Sequence, residues 1–320
     1  MPNVAFLTLL DPEISGWILE HVPAGWNVDT LSLDIPDRKK IEHIKKADFL
    51  LLFPEEISNN VLEHAQHIKL VQLLSAGYDL LDIGRCNELK IPVANVGGAN
   101  AVDVAEYAVT LMLSFYRHII EQNHMGRTGN WDFAVPNRDY FTIQGKEVGI
   151  VGLGKIGKHV AKLVTAFGAK VTYYDINRLP VEQEAAISVT YAPLDELVRK
   201  SDIISLHTPL TPETRHLIGA NQFALMKPTA LLVNTCRGDV IDEQAMITAL
   251  QEQKILGAAL DVLSQEPPPM DHPIRKKNNV ILTPHIAGRT RDTYSRRGEF
   301  VFQNMQRVWE GKPPLALVTD

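Results

Sequence analysis

Past the ends of three short apolar runs in the second half of the chain stand residues fit for acid–base work. "ALLVNTCRGDVID" places Arg237 just beyond one run, "GAALDVLSQEPPP" places Asp261 and Glu266 beyond the next, and "NNVILTPHIAG" places His285 beyond a third. A guanidinium presents a rigid fork of donors that matches a carboxylate. Imidazole exchanges its proton near neutral pH, and a neighbouring carboxylate can orient it and favour its protonated form. Taken singly, each residue has a plainer reading: a surface ion pair for Arg237, a solvated side chain before prolines for Glu266, one of 11 histidines for His285. Three in succession point to a site, because ligands of parallel α/β sheets lie beyond the carboxyl ends of the strands.

A second cluster has no reactive side chains at all. In "VGIVGLGKIGKHVAKLVTAFGAKVTYYDINR", Gly152, Gly154 and Gly157 follow the apolar run Val148–Val151 and open a stretch with helical spacing at Ile156, Val160, Leu163, Val164 and Phe167. Gly168 is placed to end that helix. A second strand then ends at Asp175, 18 residues past the last glycine. A pyrophosphate needs bare backbone and the positive end of a helix, and a ribose needs a carboxylate one strand away. Glycines alone signal only a tight turn. Strand, glycines, helix and acid in this order signal a dinucleotide site. Arg178 follows closely on Asp175. An arginine there can accept a 2′-phosphate, whereas Asp175 repels one and bonds a free hydroxyl; with Arg178 read as solvent-facing, NAD is preferred to NADP.

Strand and helix alternate almost throughout, as parallel sheets with crossover helices require. Strands are predicted at Val4–Leu9, Phe49–Phe53 and Leu70–Leu74, with a helix-like stretch at Glu56–His64. After Gly97–Gly98, apolar spacing predicts a long helix over Ala101–His118, read as crossing a domain boundary. "NHMGRTGNWDFAVPNRDYFTIQG" has no period and reads as a surface loop or an arm that packs on a partner. Beyond it, strands are predicted near Val148–Val151, Val171–Tyr174, Ile203–His207, Leu231–Asn234, Ala258–Val262 and Val280–Thr283. The 320 residues, 45% hydrophobic and 22% charged, suit two globular domains. A net charge of −6 argues against nucleic acid or anionic membrane as a partner. No apolar run reaches about 18 residues, and "MPNVAFLTLLDPE" lacks the basic start of a signal peptide. Cys86 and Cys236 make neither a disulfide framework nor a metal site. A cytoplasmic protein without a metal is expected.

In their order and length these motifs resemble the D-isomer-specific 2-hydroxyacid dehydrogenases over essentially the whole chain. The likeness is densest from "VGLGKIG" through "LHTPLTPETRHLIG" and "LLVNTCRGDVIDEQAMITAL" to "GAALDVLSQEPP" and "LTPHIAG". It implies an α/β fold of two Rossmann-like domains with parallel sheets. A coenzyme domain of residues 102–288 would be inserted into a flavodoxin-like substrate domain of residues 1–101 and 289–320. The implied catalytic set is Arg237, Glu266 and His285. Implied cofactor contacts come from Gly152, Gly154, Lys155, Ile156 and Gly157, from Asp175, and from His207, Thr208 and Pro209. Thr235, Cys236, Arg237, Asp261, His285 and Gly288 complete them, Asp261 matching the residue that holds the nicotinamide amide. Cys236 lacks an evident base and is read as lining the site, not as a nucleophile. Ser75, Ala76 and Gly77 are implied to meet the substrate carboxylate through backbone N–H groups, alongside Arg237 and His285.

The activity implied is NAD-dependent interconversion of a small 2-oxo acid and its D-2-hydroxy acid, with His285 as acid and base and Glu266 orienting it. Two alternatives stay open: a short form of D-3-phosphoglycerate dehydrogenase, and an NADH-sensing binding protein like the C-terminal-binding corepressors. "PEEIS" after Phe53 lacks the basic residue that many members carry there, which puts a phosphorylated substrate in doubt unless a base elsewhere compensates. No regulatory extension follows the last helix, so serine-type feedback is not expected. A homodimer through the coenzyme domain is expected, with His124–Phe141 reaching over the partner, because Trp131 and Phe133 would be costly left in water. Arg289, Arg291, Arg296 and Arg297, on or near the final helix, read as a solvated face.

Overall fold

The computed structural model describes residues 1–54, 56–131 and 139–318. The chain divides into two compact units, one of Met1–Asn100 with Arg289–Asp320 and one of Ala101–Gly288. The first unit is built from β1 (Asn3–Thr8), α1 (Pro12–Leu19), β2 (Asn27–Ser32), α2 (Asp37–Ile44), β3 (Phe49–Phe53), α3 (Asn59–Glu63), β4 (Leu70–Leu73), α4 (Ile83–Glu88) and β5 (Val93–Ala94). Its strands run parallel in the order β2-β1-β3-β4-β5, the flavodoxin-like arrangement. β3 reads FLLLF without a polar break because a central parallel strand is buried on both faces. On one face Val4, Phe6, Phe49 and Leu51 pack against Tyr294, Val301, Phe302 and Met305 of the chain's last helix, Arg291–Trp309. On the other, Leu50 and Leu52 meet Ile44, Val61 and Leu62.

The second unit runs α5 (Ala101–Tyr116), α6 (Ile119–Arg127), β6 (Glu147–Val151), α7 (Lys155–Ala166), β7 (Lys170–Tyr174), α8 (Val181–Ala186), β8 (Val189–Tyr191), α9 (Leu194–Lys200), β9 (Ile203–Leu206), α10 (Ala220–Leu225), β10 (Leu231–Asn234), α11 (Glu243–Gln251), β11 (Gly257–Leu260) and β12 (Val280–Leu282); the last helix is then α12. Its strands lie parallel in the order β12-β11-β10-β9-β6-β7-β8. The chain leaves β6 toward β7 on one side and β9 toward β10 on the other. That reversal opens a crevice at the carboxyl ends of β6 and β9, where a doubly wound sheet receives its ligand.

Several expectations need correction. β2, β5 and β8 went unforeseen because they are edge strands, exposed or only two to three residues long, with no continuous apolar run. The helix expected over Glu56–His64 is only Asn59–Glu63, since Ser58 caps it by accepting the Val61 N–H. α5 begins where the second unit begins and does not cross a boundary; it stops at Tyr116, and His118 turns the chain at φ +49 into α6. Part of the expected loop is therefore helical. Phe141 is no reaching arm residue either: its ring lies 5.3 Å from Tyr116, within the second unit. Trp131 is 75% exposed, and Phe133, with the rest of residues 132–138, lies outside the described residues. The arginines of α12 are not a solvated face throughout. Arg297 is buried with its guanidinium 5.6 Å from the Tyr294 ring, and Arg291 covers Trp17 at 5.3 Å.

Candidate active site

The glycine turn sits in the crevice between β6 and β9, and its shape depends on missing side chains. Gly152 holds φ +93, and a Cβ there would stand 2.7 Å from the His207 carbonyl oxygen. A Cβ on Gly157 would meet the Gly152 oxygen at 2.2 Å, so only glycine lets α7 pack beneath the turn. Gly154 faces open space and heads α7 with no side-chain cap, leaving the positive helix end for a ligand. Lys155 and Ile156 form the first turn of that helix.

Asp175 stands at the end of β7, beside the turn. One carboxylate oxygen accepts the Leu153 N–H at 2.8 Å and the other the Asn177 N–H at 2.9 Å. Asp175 thus braces the glycine turn, a task not foreseen, and each oxygen keeps a lone pair for a further donor. Arg178 is not simply solvent-facing. It grips Glu184 through Nε at 2.9 Å and Nη2 at 3.2 Å, and lies 5.0 Å from the Tyr191 ring. The Arg178 guanidinium, with the Tyr173 hydroxyl, holds the Glu184 carboxyl below its ordinary range against the opposing effect of burial.

Beyond β9 and β10 lie buried polar atoms that make no hydrogen bond among the described residues: His207 Nδ1, Thr208 Oγ1 and Thr235 Oγ1. Orphaned groups of this kind call for a ligand. His207 meets Ser205 Oγ at 2.8 Å through Nε2, and burial pushes its pKa down to about 3. Its ring is therefore held in the neutral form near neutral pH. Pro209 follows Thr208 in the same turn. The bare glycine backbone, the uncapped helix, the acid at β7 and these orphaned atoms together fit a dinucleotide.

Arg237, Glu266 and His285 follow three adjacent strands, β10, β11 and β12. The buried Asn234 shapes the turn carrying Arg237: its Oδ1 accepts the Cys236 N–H at 3.0 Å and its Nδ2 donates to the Arg237 carbonyl at 2.8 Å. Arg237 Nη1 donates to the Cys236 carbonyl at 2.8 Å. The Cys236 thiol donates to Asn234 Oδ1 at 3.0 Å, and burial pushes its pKa up, so it is no ready nucleophile. A Cβ on Gly238 would lie 2.0 Å from the Leu263 carbonyl carbon; the turn of Arg237 is thus nested backbone-to-backbone under the loop of Glu266.

His285 Nδ1 and Glu266 Oε2 stand 2.7 Å apart, and Glu266 Oε1 accepts the Leu263 N–H at 3.0 Å. Burial pushes the Glu266 carboxyl up, but its bond to His285, the charge there, the Leu263 N–H and Arg237 outweigh it and hold the group below its ordinary 4.5. His285 itself sits at φ +54, a left-handed conformation costly for a side chain and common at working sites. Asp261 sustains it. Its carbonyl accepts the His285 N–H at 2.8 Å, while its buried carboxylate accepts from the Thr283 hydroxyl at 2.6 Å, Ile286 N–H at 3.0 Å and Ala287 N–H at 2.8 Å. Asp261, expected as a cofactor contact, is here the hub of the histidine loop, which runs on to Gly288 at the end of the unit. Asn234 and Thr283 were missed, although each is a polar residue ending an apolar run, the signal that marked Arg237 and His285.

Ser75, Ala76 and Gly77 follow β4 in the first unit. Ser75 Oγ donates to the Gly77 carbonyl at 2.8 Å, closing the turn.

Comparison with known proteins identifies the family. A family model described as the D-isomer specific 2-hydroxyacid dehydrogenase NAD binding domain matches residues 109–287. The chain is 40% identical over 289 residues to a glyoxylate reductase of Thermofilum pendens, covering 88% of this chain and 85% of that one. It is 38% identical to a D-3-phosphoglycerate dehydrogenase of Methanocaldococcus jannaschii over 85% of this chain but 52% of that protein. A D-isomer specific 2-hydroxyacid dehydrogenase of Lactobacillus delbrueckii ssp. bulgaricus, solved in its NAD-complexed form, superposes with a TM-score of 0.81 at 26% identity, covering 99% of this chain and 100% of that one. The chain belongs to the D-isomer specific 2-hydroxyacid dehydrogenase family and is an NAD-dependent oxidoreductase.

Proposed function

We propose that this chain reduces a small, unphosphorylated 2-oxo acid to its D-2-hydroxy acid, and catalyses the reverse oxidation, with His285 as acid and base. The observation that carries this is the 2.7 Å contact of His285 Nδ1 with Glu266. It fixes the ring and leaves Nε2 as the atom that exchanges a proton with substrate. In reduction Nε2 gives its proton to the 2-oxo oxygen; in oxidation the neutral ring takes it back. Arg237 binds the carboxylate through its fork and polarises the 2-oxo group. The backbone N–H groups of the Ser75–Gly77 turn take part in binding a substrate carboxylate. When bound, NADH supplies the hydride. Gly152, Gly154, Lys155, Ile156 and Gly157 would hold its pyrophosphate, Asp175 a ribose, and His207, Thr208, Pro209, Thr235 and Cys236 the nicotinamide half, beside Asp261 and Gly288.

NAD rather than NADP is supported by Arg178, whose guanidinium is committed to Glu184. An unphosphorylated substrate is supported by β3, which ends at Phe53–Pro54 with the acidic Glu56 close behind. The similarity to a D-3-phosphoglycerate dehydrogenase keeps the short-form alternative as a distinct test outcome. We also propose a cytoplasmic homodimer. Trp131, Ile119 and Ile120 are each more than half exposed, on or just beyond α6, and both cysteines are free thiols. A monomeric mass in light scattering excludes the dimer. Following NADH loss with glyoxylate, hydroxypyruvate, pyruvate, phenylpyruvate and 3-phosphohydroxypyruvate tests the activity. Turnover of one or more of the first four is expected. Turnover confined to the phosphorylated acid establishes the phosphoglycerate reading, and tight NADH binding with no turnover at all establishes the sensing one.

A further inference from the structure

We propose that Asn95 is a positioning residue that aims the backbone donors of the Ser75–Gly77 turn at a carboxylate. The inference rests on the reading above that this turn binds the substrate carboxylate. Asn95 follows β5, next to β4, from which the turn emerges. Its Nδ2 donates to the Ala76 carbonyl at 3.0 Å, and its Oδ1 accepts the Gly97 N–H at 2.9 Å. A trans peptide is planar, with its N–H pointing opposite to its C=O. Holding the Ala76 carbonyl therefore fixes the direction of the Gly77 N–H. The Ser75 hydroxyl does the same one peptide further on: it holds the Gly77 carbonyl at 2.8 Å and so directs the Tyr78 N–H. Among the described residues, no hydrogen bond engages the N–H groups of Ala76, Gly77 or Tyr78. Two peptide planes are clamped from their carbonyl sides while their donors stay open.

Asn95 can clamp because it is itself held at every polar atom. Its N–H donates to the Ala316 carbonyl at 3.1 Å, and its carbonyl accepts from Nε2 of the buried Gln72 at 3.0 Å. Gln72 Oε1 in turn accepts from Asn304 of α12 at 2.7 Å, and Asn304 also bonds the main chain of Leu315 through both ends of its amide. The C-terminal tail, pairing with β5 at Ala94 and Leu317, thus becomes part of the frame behind the turn. A carboxylate placed at the turn gains from donors that need no reorganisation on binding, and loses that gain when the peptide planes can rotate.

Two variants separate the bonds. Asn95→Ala removes both side-chain bonds; Asn95→Asp keeps an acceptor for Gly97 but cannot donate to Ala76. In the full-length protein both are expected to raise KM for the best 2-oxo acid, and Ki for oxamate, about fivefold to tenfold, as the loss of one hydrogen bond's worth of binding. NADH affinity by fluorescence titration should stay within about twofold, well short of one hydrogen bond's worth. If KM and Ki stay unchanged while only the melting temperature falls, Asn95 is structural and the proposal is overturned. Gly77→Pro, which deletes the N–H itself, keeps the two ideas apart. If Gly77→Pro also leaves KM unchanged, the turn does not bind the carboxylate and the underlying reading fails. If it raises KM and neither Asn95 variant does, only the positioning role fails.

Discussion

The turn after β6 and the loops after β10, β11 and β12 prepare ligand sites by opposite means. In the first, function follows from atoms that are missing: Gly152 and Gly157 approach neighbouring backbone so closely that a single added methyl would collide at 2.7 and 2.2 Å. In the second, function follows from atoms that are present and paired, with His285 on Glu266 and the Asp261 carboxylate holding the histidine loop. One region is set by shape, and in the proposed reading it would receive a polyanion through backbone and helix dipole. The other is set by side-chain hydrogen bonds, which in the proposed reading would hold a proton at a chosen atom. Enlarging a residue should therefore injure folding and cofactor binding in the first region. Truncating a residue should injure turnover, with binding retained, in the second.

The largest effect should come from the paired region. His285→Ala is expected to lower kcat for 2-oxo acid reduction about 100- to 10,000-fold, the usual share of a positioned acid–base group. Its NADH affinity should stay near native and its melting temperature should fall by only about 1–3 °C, because the imidazole is half exposed and what it gives up is its bond to Glu266. Gly157→Ala makes the contrast: with its methyl 2.2 Å from the Gly152 oxygen, the turn must move, so NADH affinity and melting temperature should fall together. Titration of NADH fluorescence and thermal melts on both variants decide the matter. A His285→Ala protein that turns over at near-native rate ends the acid–base assignment. One that loses NADH binding breaks the division between the two regions.

How legible each region was follows from the same distinction. The glycine turn could be read because steric exclusion fixes glycine at 152 and 157, flanked by an unbroken apolar strand and a periodic helix. Arg237, Glu266 and His285 could be found because buried strands end abruptly, and the polar residue after the end stands out. The bracing contacts could not be read. That Asp175 would accept the Leu153 and Asn177 N–H groups depends on where two separate turns meet in space, which spacing along the chain does not encode. The pairing of Arg178 with Glu184 was hidden likewise, since Glu184 sits in an ordinary acidic helix start and only burial makes it a partner. Edge strands β2 and β8 were lost because their outward residues carry no alternation to count.

Cofactor choice sharpens the comparison at intermediate size, because Asp175 is a paired side chain inside the shape-built region. Asp175→Ala should weaken NADH about tenfold by removing a charged acceptor. It should also improve NADPH relative to NADH, since the charge that repels a 2′-phosphate is gone. Arg178→Ala should leave the NADH-to-NADPH preference almost unchanged and lower the melting temperature, because the buried Glu184 loses both of its arginine bonds. Competitive titration with both cofactors measures each ratio. A native protein that prefers NADPH, or an Arg178→Ala variant that selectively loses it, shows that Arg178 leaves Glu184 to take a phosphate.

The smallest effect expected is a pH-dependent one at Glu266. Its carboxyl is held below its ordinary 4.5 in the folded chain, because His285, the Leu263 N–H and Arg237 together outweigh the burial that pushes it up. A depressed carboxyl contributes stability that is fully present above its unfolded pKa and is lost as pH falls through the lower folded one. Glu266→Gln removes the charge while keeping a carbonyl oxygen for Leu263, so the comparison isolates that contribution. At neutral pH the native protein should melt above the variant by only about 1–3 °C, since the pair is partly exposed and solvent screens it. The gap should close as pH falls below 4.5. Turnover should respond far more than stability, because the imidazole loses the partner that orients it for proton exchange. Thermal melts across the acid range, set beside kcat at neutral pH, measure both. A gap that stays constant below pH 4.5 would mean that the ionised carboxylate is not what His285 pairs with, and the orienting role of Glu266 would fall with it.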